Sequence, residues 1–323
     1  MSTLRLGTRG SPLALYQATT VASLIQQRTG DVCEIVVVRT SGDRLVDAPL
    51  AEAGGKRLFV KEIEEALLAR SVDLAVHSSK DMPTALPSGL EIGAVLPRED
   101  PRDVLVLPEG RGRALGVDEV LRALGNTPRI GTSSVRRIAQ LASFSPGARF
   151  QPIRGNLDTR LRKLDAGEYD ALVLAAAGLR RLERGDRISA VLPVDTCVPA
   201  PGQGIIAVEI RTDDGRTAAL AAAIGDREAA IALTVERTVV ERLGGGCQMP
   251  IAAYAHTAGN HVRVVSVVLS LDGARAVRAE ASGPVETPEH VGTSAADDLL
   301  AQGAGEILAD AKRALSATEG HQQ

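Results

Sequence analysis

Short apolar runs that break into a Ser-, Thr- or Asn-led helix start recur along most of the first 200 residues of this 323-residue chain. That rhythm restricts the chain to an α/β fold with largely parallel sheets. Leu4 to Gly7 reads as a strand, and Ser11-Pro12 then opens a helix to about Arg28, serine being a good N-cap and proline suiting the first helical position. Glu34 to Arg39 is a second strand, Leu58 to Arg70 a helix, and Asp73 to Val76 a third strand. The same rhythm returns at Arg129–Gly131, Phe150–Ile153 and Asp170–Ala175, with helices starting after Thr132-Ser133-Ser134 and at Asn156 or Leu157. After Arg216 the pattern changes to an alanine-rich helix (Asp226 to Arg242), then strand-like runs at 251–255, 262–271 and 274–281, then helical runs at 289–301 and 305–315. Strands followed by helices read as a separate α+β domain.

At roughly 100–200 residues per domain the length allows two or three domains. REDPRD (Arg98–Asp103) suits a crossing between domains, and CVPAPGQG (Cys197–Gly204) a return crossing that lets Ile205–Ile210 add a strand to the first. The expected division is residues 1–97 with 200–220, residues 98–199, and residues 221–323. The architecture is two doubly wound α/β domains, resembling a two-lobed periplasmic binding protein, plus a smaller C-terminal α+β domain that carries Cys247.

Composition excludes several classes of function. Net charge is −3 and aromatic residues are 2% with no tryptophan, which removes both a global basic field and a base-stacking platform for nucleic acid. No stretch reaches the ~18 uncharged apolar residues of a membrane helix, and the first residues lack a continuous apolar run and a cleavage site. A cytoplasmic protein is expected. The three cysteines, Cys33, Cys197 and Cys247, are widely spaced, so neither a disulfide framework nor a metal site is expected. Cys33 precedes a buried strand and reads as core. Cys197 reads as packed or as a bystander.

Chemistry concentrates where strands end. In an open α/β sheet, ligands bind beyond the carboxyl ends of the strands. Ser78, Lys80 and Asp81 follow one strand directly, and Arg9 and Ser11 occupy a strand-to-helix turn that favours anions. An isolated aspartate before Met-Pro is commonly a turn residue. Arg136, Arg137, Arg154, Arg160 and Arg181 fall at strand ends or in first helical turns. Cations there oppose the helix dipole, so five of them make better sense facing a polyanion than as scattered surface charge. Residues 40–57 form a long glycine-containing segment in which Lys56 is either a lid over an anion or a solvated lysine. In LGGGCQMP, three glycines leave Cys247 on a bare loop, either an idle thiol or an anchor for a covalent adduct.

Taken together, RLGTRGSPLAL, GGKRLFVKE, HSSKDMP, REDPRD, GTSSVRR, RGNLDTRLRKLD, PGQG and GGGCQMPI resemble the porphobilinogen deaminase (hydroxymethylbilane synthase) family. The resemblance covers nearly the whole chain and weakens after about residue 285. It implies a transferase of haem and other tetrapyrrole biosynthesis. Four porphobilinogen molecules would be condensed with loss of ammonia on a covalently bound dipyrromethane, and linear hydroxymethylbilane released by hydrolysis. It implies Asp81 as the catalytic residue and Cys247 as the thioether anchor. Lys80, Ser78, Arg136, Arg137, Ser134, Arg160, Thr132 and Gly155 would contact the cofactor. Arg9, Ser11, Arg154, Arg181, Lys56, Phe59 and Gln203 would contact substrate. Arg57 departs from the family's familiar loop, which has glycine. The expected partner is porphobilinogen, with no nucleic acid, membrane or metal, and the expected state is a monomer.

Two other readings compete with it. A two-lobed small-anion binding protein would have the same architecture without chemistry, and a thiol hydrolase would pair Cys247 with His77 or His256. The lack of an export signal and the Cys247 loop count against the first, and nothing in the sequence places His77 or His256 beside the thiol for the second.

Overall fold

The computed structural model describes residues 3–41, 60–111, 116–246 and 249–320, the side chains of 318–320 excepted. The chain forms two units, Met1–Glu99 with Ile205–Ile231, and Asp100–Gly204 with Ala232–Gln323.

In the first unit, β1 (Leu4–Thr8), α1 (Pro12–Thr29), β2 (Cys33–Val37), α2 (Lys61–Leu68), β3 (Leu74–Ser78) and β4 (Leu90–Val95) are joined by β10 (Ile206–Arg211) and α7 (Gly215–Ile224). The sheet order is β2-β1-β3-β10-β4. β1 runs parallel to β2 and β3, whereas β10 is antiparallel to both its neighbours. The end signals act as expected: Ser11 Oγ accepts from Ala14 N at 3.3 Å, and Gly30 closes α1 at φ +79°. Alternation along the strands serves both faces. Leu4, Leu6, Leu74, Val76, Val208 and Ile210 pack with Ala18, Val21 and Ile25 of α1 and Leu220 and Ile224 of α7. Ala75, Val72 and Leu90 pack with Ile63 and Leu67 of α2. Each fully buried leucine or isoleucine here contributes about 1.5–3 kcal/mol relative to exposure.

The second unit repeats this plan. β5 (Asp103–Val106), α3 (Val117–Leu124), β6 (Arg129–Gly131), α4 (Val135–Ala142), β7 (Arg149–Gln151), α5 (Leu157–Asp165), β8 (Ala171–Ala175), α6 (Ala176–Arg181) and β9 (Ala190–Val191) give a sheet of order β7-β6-β8-β5-β9. Again a single antiparallel strand, β5, stands fourth. Val104 and Val106 face Leu161, Leu164 and Leu179, while Leu105 faces Val120, Ile130 and Leu141. Both sheets are therefore doubly wound, as the rhythm predicts. A third sheet, β11 (Ile251–Ala258), β12 (His261–Leu269) and β13 (Ala276–Pro284), is an antiparallel meander. Helices α9 (Pro288–Ala301) and α10 (Ala304–Gly320) pack on it. Its other side meets Ala139 and Val198 through Ala252, Val267 and Leu269.

β4, β5, β9, α3 and α6 are absent from the sequence reading. The alanine-rich helix expected over Asp226–Arg242 is α8 (Arg227–Arg242), and α7 precedes it as a separate helix because the chain breaks at Gly225-Asp226. Asp226 donates its backbone N–H to Val95 O at 2.8 Å, and its carboxylate accepts from Ala229 N at 2.7 Å. That capping starts α8 afresh. Among the described residues, no helix is long and apolar enough to cross a membrane.

Candidate functional site

In the first unit the parallel pairing of β1 with β3 brings their carboxyl ends to one edge of the sheet. Arg9 and Ser11 follow β1 there, and Ser78, Lys80 and Asp81 follow β3. Residues Ser79–Asp81 form a single 3-10 turn, with Met82 N donating to Ser79 O at 3.1 Å. The turn is pinned from several sides. Ser79 N donates to Ile205 O at 3.0 Å, and Gln17 Nε2 of α1, itself buried, donates to Ser78 Oγ at 2.9 Å. On the opposite face His77 Nε2 lies 3.0 Å from Glu209 Oε2. Asp81 and Lys80 are half-buried at the edge.

In the second unit the strand-end residues also share an edge, since β6 is parallel to β7 and β8. Ser134 caps α4 by accepting from Arg137 N, and Thr132 Oγ1 accepts from Ser134 N at 3.2 Å. After β7, Arg154 is half-buried and Gly155 adopts φ +102°; a Cβ there would stand 2.6 Å from Thr159 Cγ2. This turn is therefore specific to glycine. Asn156 caps α5 by accepting from Thr159 N, and Arg160 Nε donates to Gly155 O, both at 2.9 Å. Arg181 donates to Gly204 O at 2.6 Å, and Gln203 donates to Pro101 O at 2.6 Å and Asp103 Oδ1 at 2.9 Å.

Arg136 and Arg137 meet a residue that the sequence did not single out. Asp103, the first residue of β5, is fully buried. Arg136 Nη1 lies 2.7 Å from its Oδ2, and Arg137 grips its Oδ1 through Nε at 2.9 Å and Nη2 at 2.7 Å. Arg136 also donates to Val198 O at 2.6 Å and Arg137 to Val173 O at 2.8 Å. Burial opposes charge on Asp103, yet the two guanidinium groups outweigh it and hold the carboxyl well below the usual carboxylate range. Cys197 donates its thiol to Asp103 Oδ2 at 3.3 Å, and burial, followed by that carboxylate, pushes the thiol up to about 12. It is packed and unreactive. Cys33 is half-buried against the first core, with its thiol raised to about 11, chiefly by burial.

Removing Asp103 would leave two guanidinium groups buried without their carboxylate. Asp103→Ala is expected to lower stability by about 3–5 kcal/mol in urea or thermal melts. Because the folded carboxyl lies below its unfolded value, the contribution is complete above an unfolded pKa of about 4 and is lost as pH falls toward the folded value. Wild type and Asp103→Asn should therefore converge in stability on acidification; parallel curves would contradict the assignment.

Sequence reading also missed Gln140, whose side chain accepts from Val198 N at 2.7 Å and donates to Val198 O at 3.1 Å. It missed Glu236, fully buried, which accepts from Gly202 N and Ala255 N, both at 2.7 Å. These buried polar residues hold the 197–204 segment, and nothing local in the sequence separates them from surface polar residues. His256 is exposed and stacks on Tyr254 with ring centroids 5.8 Å apart.

Lys56, Arg57, Phe59 and Cys247 lie outside the described residues. The turn before Cys247 does show its glycines in use. Gly244 adopts φ +62°, a Cβ on Gly245 would lie 2.2 Å from Ile251 Cδ1, and one on Gly246 would meet nothing within 4 Å. The chain thus approaches Cys247 bare of side chains. Within the buried cluster, Arg136 and Arg137 carry two positive charges against one on Asp103, a surplus of one. A bare turn and a surplus of guanidinium charge fit a carboxylate-bearing group tethered through a thiol.

Comparison with known proteins gives the same picture. A family model described as "Porphobilinogen deaminase, dipyromethane cofactor binding domain" matches residues 4–219, and one described as "Porphobilinogen deaminase, C-terminal domain" matches residues 230–301. A porphobilinogen deaminase of Syntrophotalea carbinolica is 47% identical over 309 residues, covering 95% of this chain and 96% of the relative. Those of Acidithiobacillus ferrooxidans and Moorella thermoacetica are also 47% identical, covering 96% and 97% of this chain and 99% and 97% of the relatives. With both family models matched in order and the relatives aligned end to end, the chain belongs to the porphobilinogen deaminase family.

Proposed function

We propose that this chain is a hydroxymethylbilane synthase, a transferase that joins porphobilinogen units with loss of ammonia and releases the linear tetrapyrrole by hydrolysis. Two features support the reading: membership of the family, and the SKD turn, which holds Asp81 at a strand end on anchors from α1, β10 and the chain entering β10. When bound, the dipyrromethane supplies a pyrrole with a free α-carbon as the nucleophile. Loss of ammonia from porphobilinogen puts positive charge on the pyrrole and its N–H. The Asp81 carboxylate stabilises that charge and takes or returns the pyrrole nitrogen's proton. It needs little reorganisation to do so, because its turn is already fixed.

The remaining residues bind and orient. Each pyrrole carries acetate and propionate groups, and Arg9, Lys56, Lys80, Arg154, Arg160 and Arg181 supply matching cations. Arg136 and Arg137 offer their surplus charge to the cofactor's carboxylates while remaining anchored on Asp103. Ser11, Ser78, Thr132, Ser134 and Gly155 complete the anion contacts through hydroxyl and backbone groups. Gln203 holds the return crossing, Phe59 contributes an apolar contact to substrate, and Cys247 is the covalent anchor. Three folding regions, 1–97 with 200–220, 98–199 and 221–323, divide this work, and the enzyme acts as a cytoplasmic monomer without nucleic acid or membrane.

Purified chain incubated with porphobilinogen tests the function. Ammonia release matching porphobilinogen consumption, with a linear tetrapyrrole as product, is expected. Stoichiometric binding without ammonia release would instead identify an anion-binding protein.

A further inference from the structure

We propose that His77 and Glu209 form a buried positioning pair that sets the SKD turn and, through it, the Asp81 carboxylate. The proposal rests on the reading of Asp81 as the catalytic residue. His77 and Glu209 side chains are 3% and 0% exposed, and their Nε2 and Oε2 atoms are 3.0 Å apart. His77 is the penultimate residue of β3 and stands four positions before Asp81. The antiparallel register places Ala207 opposite His77, so Glu209 reaches it across a diagonal that a long side chain can span.

A local irregularity accompanies this reach. Along the other side of β10, Val208 pairs with Ala94 but Glu209 pairs with Ile92, which leaves Gly93 as an extra residue in β4. A Cβ at Gly93 would stand 2.5 Å from Ile210 Cδ1, so any larger residue there would displace the Ile210 side chain. Bulges of this kind re-aim side chains and cluster beside functional sites.

Energetics separate a positioning role from a simple contribution to the core. Among the described residues, Glu209 Oε1 is buried with no hydrogen-bond partner. A buried carboxyl left half-satisfied costs the fold free energy, and apolar residues of similar volume in place of both His77 and Glu209 would serve stability as well or better. What the pair does gain is geometric. It ties the end of β3 to β10, the strand entered from Gly204, while Ile205 O receives Ser79 N one step further along. Ser78 is held by Gln17 from the opposite face. Residues 77, 78 and 79 are thus fixed in succession, and Asp81 has little freedom left.

The test compares Glu209→Leu and Glu209→Gln as cofactor-loaded enzymes, with loading measured by intact mass, beside Asp81→Asn. Misplacement of a reacting group by about 1 Å can cost on the order of 100-fold. Glu209→Leu leaves buried His77 without its acceptor and is therefore expected to lower the thermal midpoint while remaining folded at the assay temperature, to lose kcat on the order of 10–100-fold per folded, loaded molecule and to keep KM within about twofold. Glu209→Gln keeps a hydrogen bond to His77 and should recover most of the lost kcat. His77→Gln passes through the same assay, so the outcome does not hang on the folding of one variant. Wild-type kcat in folded Glu209→Leu or His77→Gln overturns the proposal. A loss of kcat that disappears once rates are expressed per loaded, folded molecule overturns it equally. An active Asp81→Asn would sink the underlying reading of the site, whereas an inactive Asp81→Asn beside a fully active Glu209→Leu sinks the pair alone.

Discussion

Asp81→Asn is expected to give a folded, cofactor-loaded protein whose kcat is lower by on the order of 10²–10³, the usual cost of removing a group aimed at developing charge. The change is isosteric, and the anchors of the turn lie at His77, Ser78 and Ser79, so its geometry should survive. What is lost is the negative charge that answers the positive charge on the substrate pyrrole. KM should change little, because the proposed function assigns binding of the acetate and propionate groups to cationic residues and not to Asp81. Steady-state kinetics on protein normalised for cofactor content measure this directly. A rate within about threefold of wild type would show that the carboxylate does not act in the transition state.

A second large effect is expected at Cys247. Cys247→Ala should fold, since the turn is shaped by Gly244 and Gly245, whose backbone demands are independent of the thiol. The variant should carry no covalent adduct and show no turnover above background. Cys33 and Cys197 cannot substitute for it, because burial pushes both thiols up, to about 11 and about 12, and leaves them largely protonated at neutral pH. Intact mass before and after incubation with porphobilinogen reads out both points. An adduct retained on Cys247→Ala would place the anchor elsewhere.

The parts of the fold legible in the sequence were those written locally. Ser11, Ser134 and Asn156 cap their helices within three residues of themselves, and apolar runs such as Leu74–Ser78 and Ala171–Ala175 announce buried strands by composition. β5 was hidden because its four buried residues follow directly on the charged REDPRD, and the first of them is that motif's own Asp103. Asp103 looks like a surface charge until Arg136, Arg137 and Gln203 arrive from 33 to 100 residues away. The site divides in the same way. The positions of the strand-end residues follow from the α/β plan of each unit, whereas Gln17 and Glu209 in the first unit and Gln140 and Glu236 in the second owe their contacts to long-range pairing that no spacing reveals.

The account depends on a pyrrole chain growing while tethered to this protein beside one carboxylate. Intact mass of the purified chain, taken during turnover with limiting porphobilinogen, tests that most directly. The expected result is a starting mass above that of the sequence by one dipyrromethane, then a ladder of species each heavier by one pyrrole unit, returning to the starting mass as product leaves. A chain whose mass equals the sequence mass throughout, while product accumulates in solution, would contradict it.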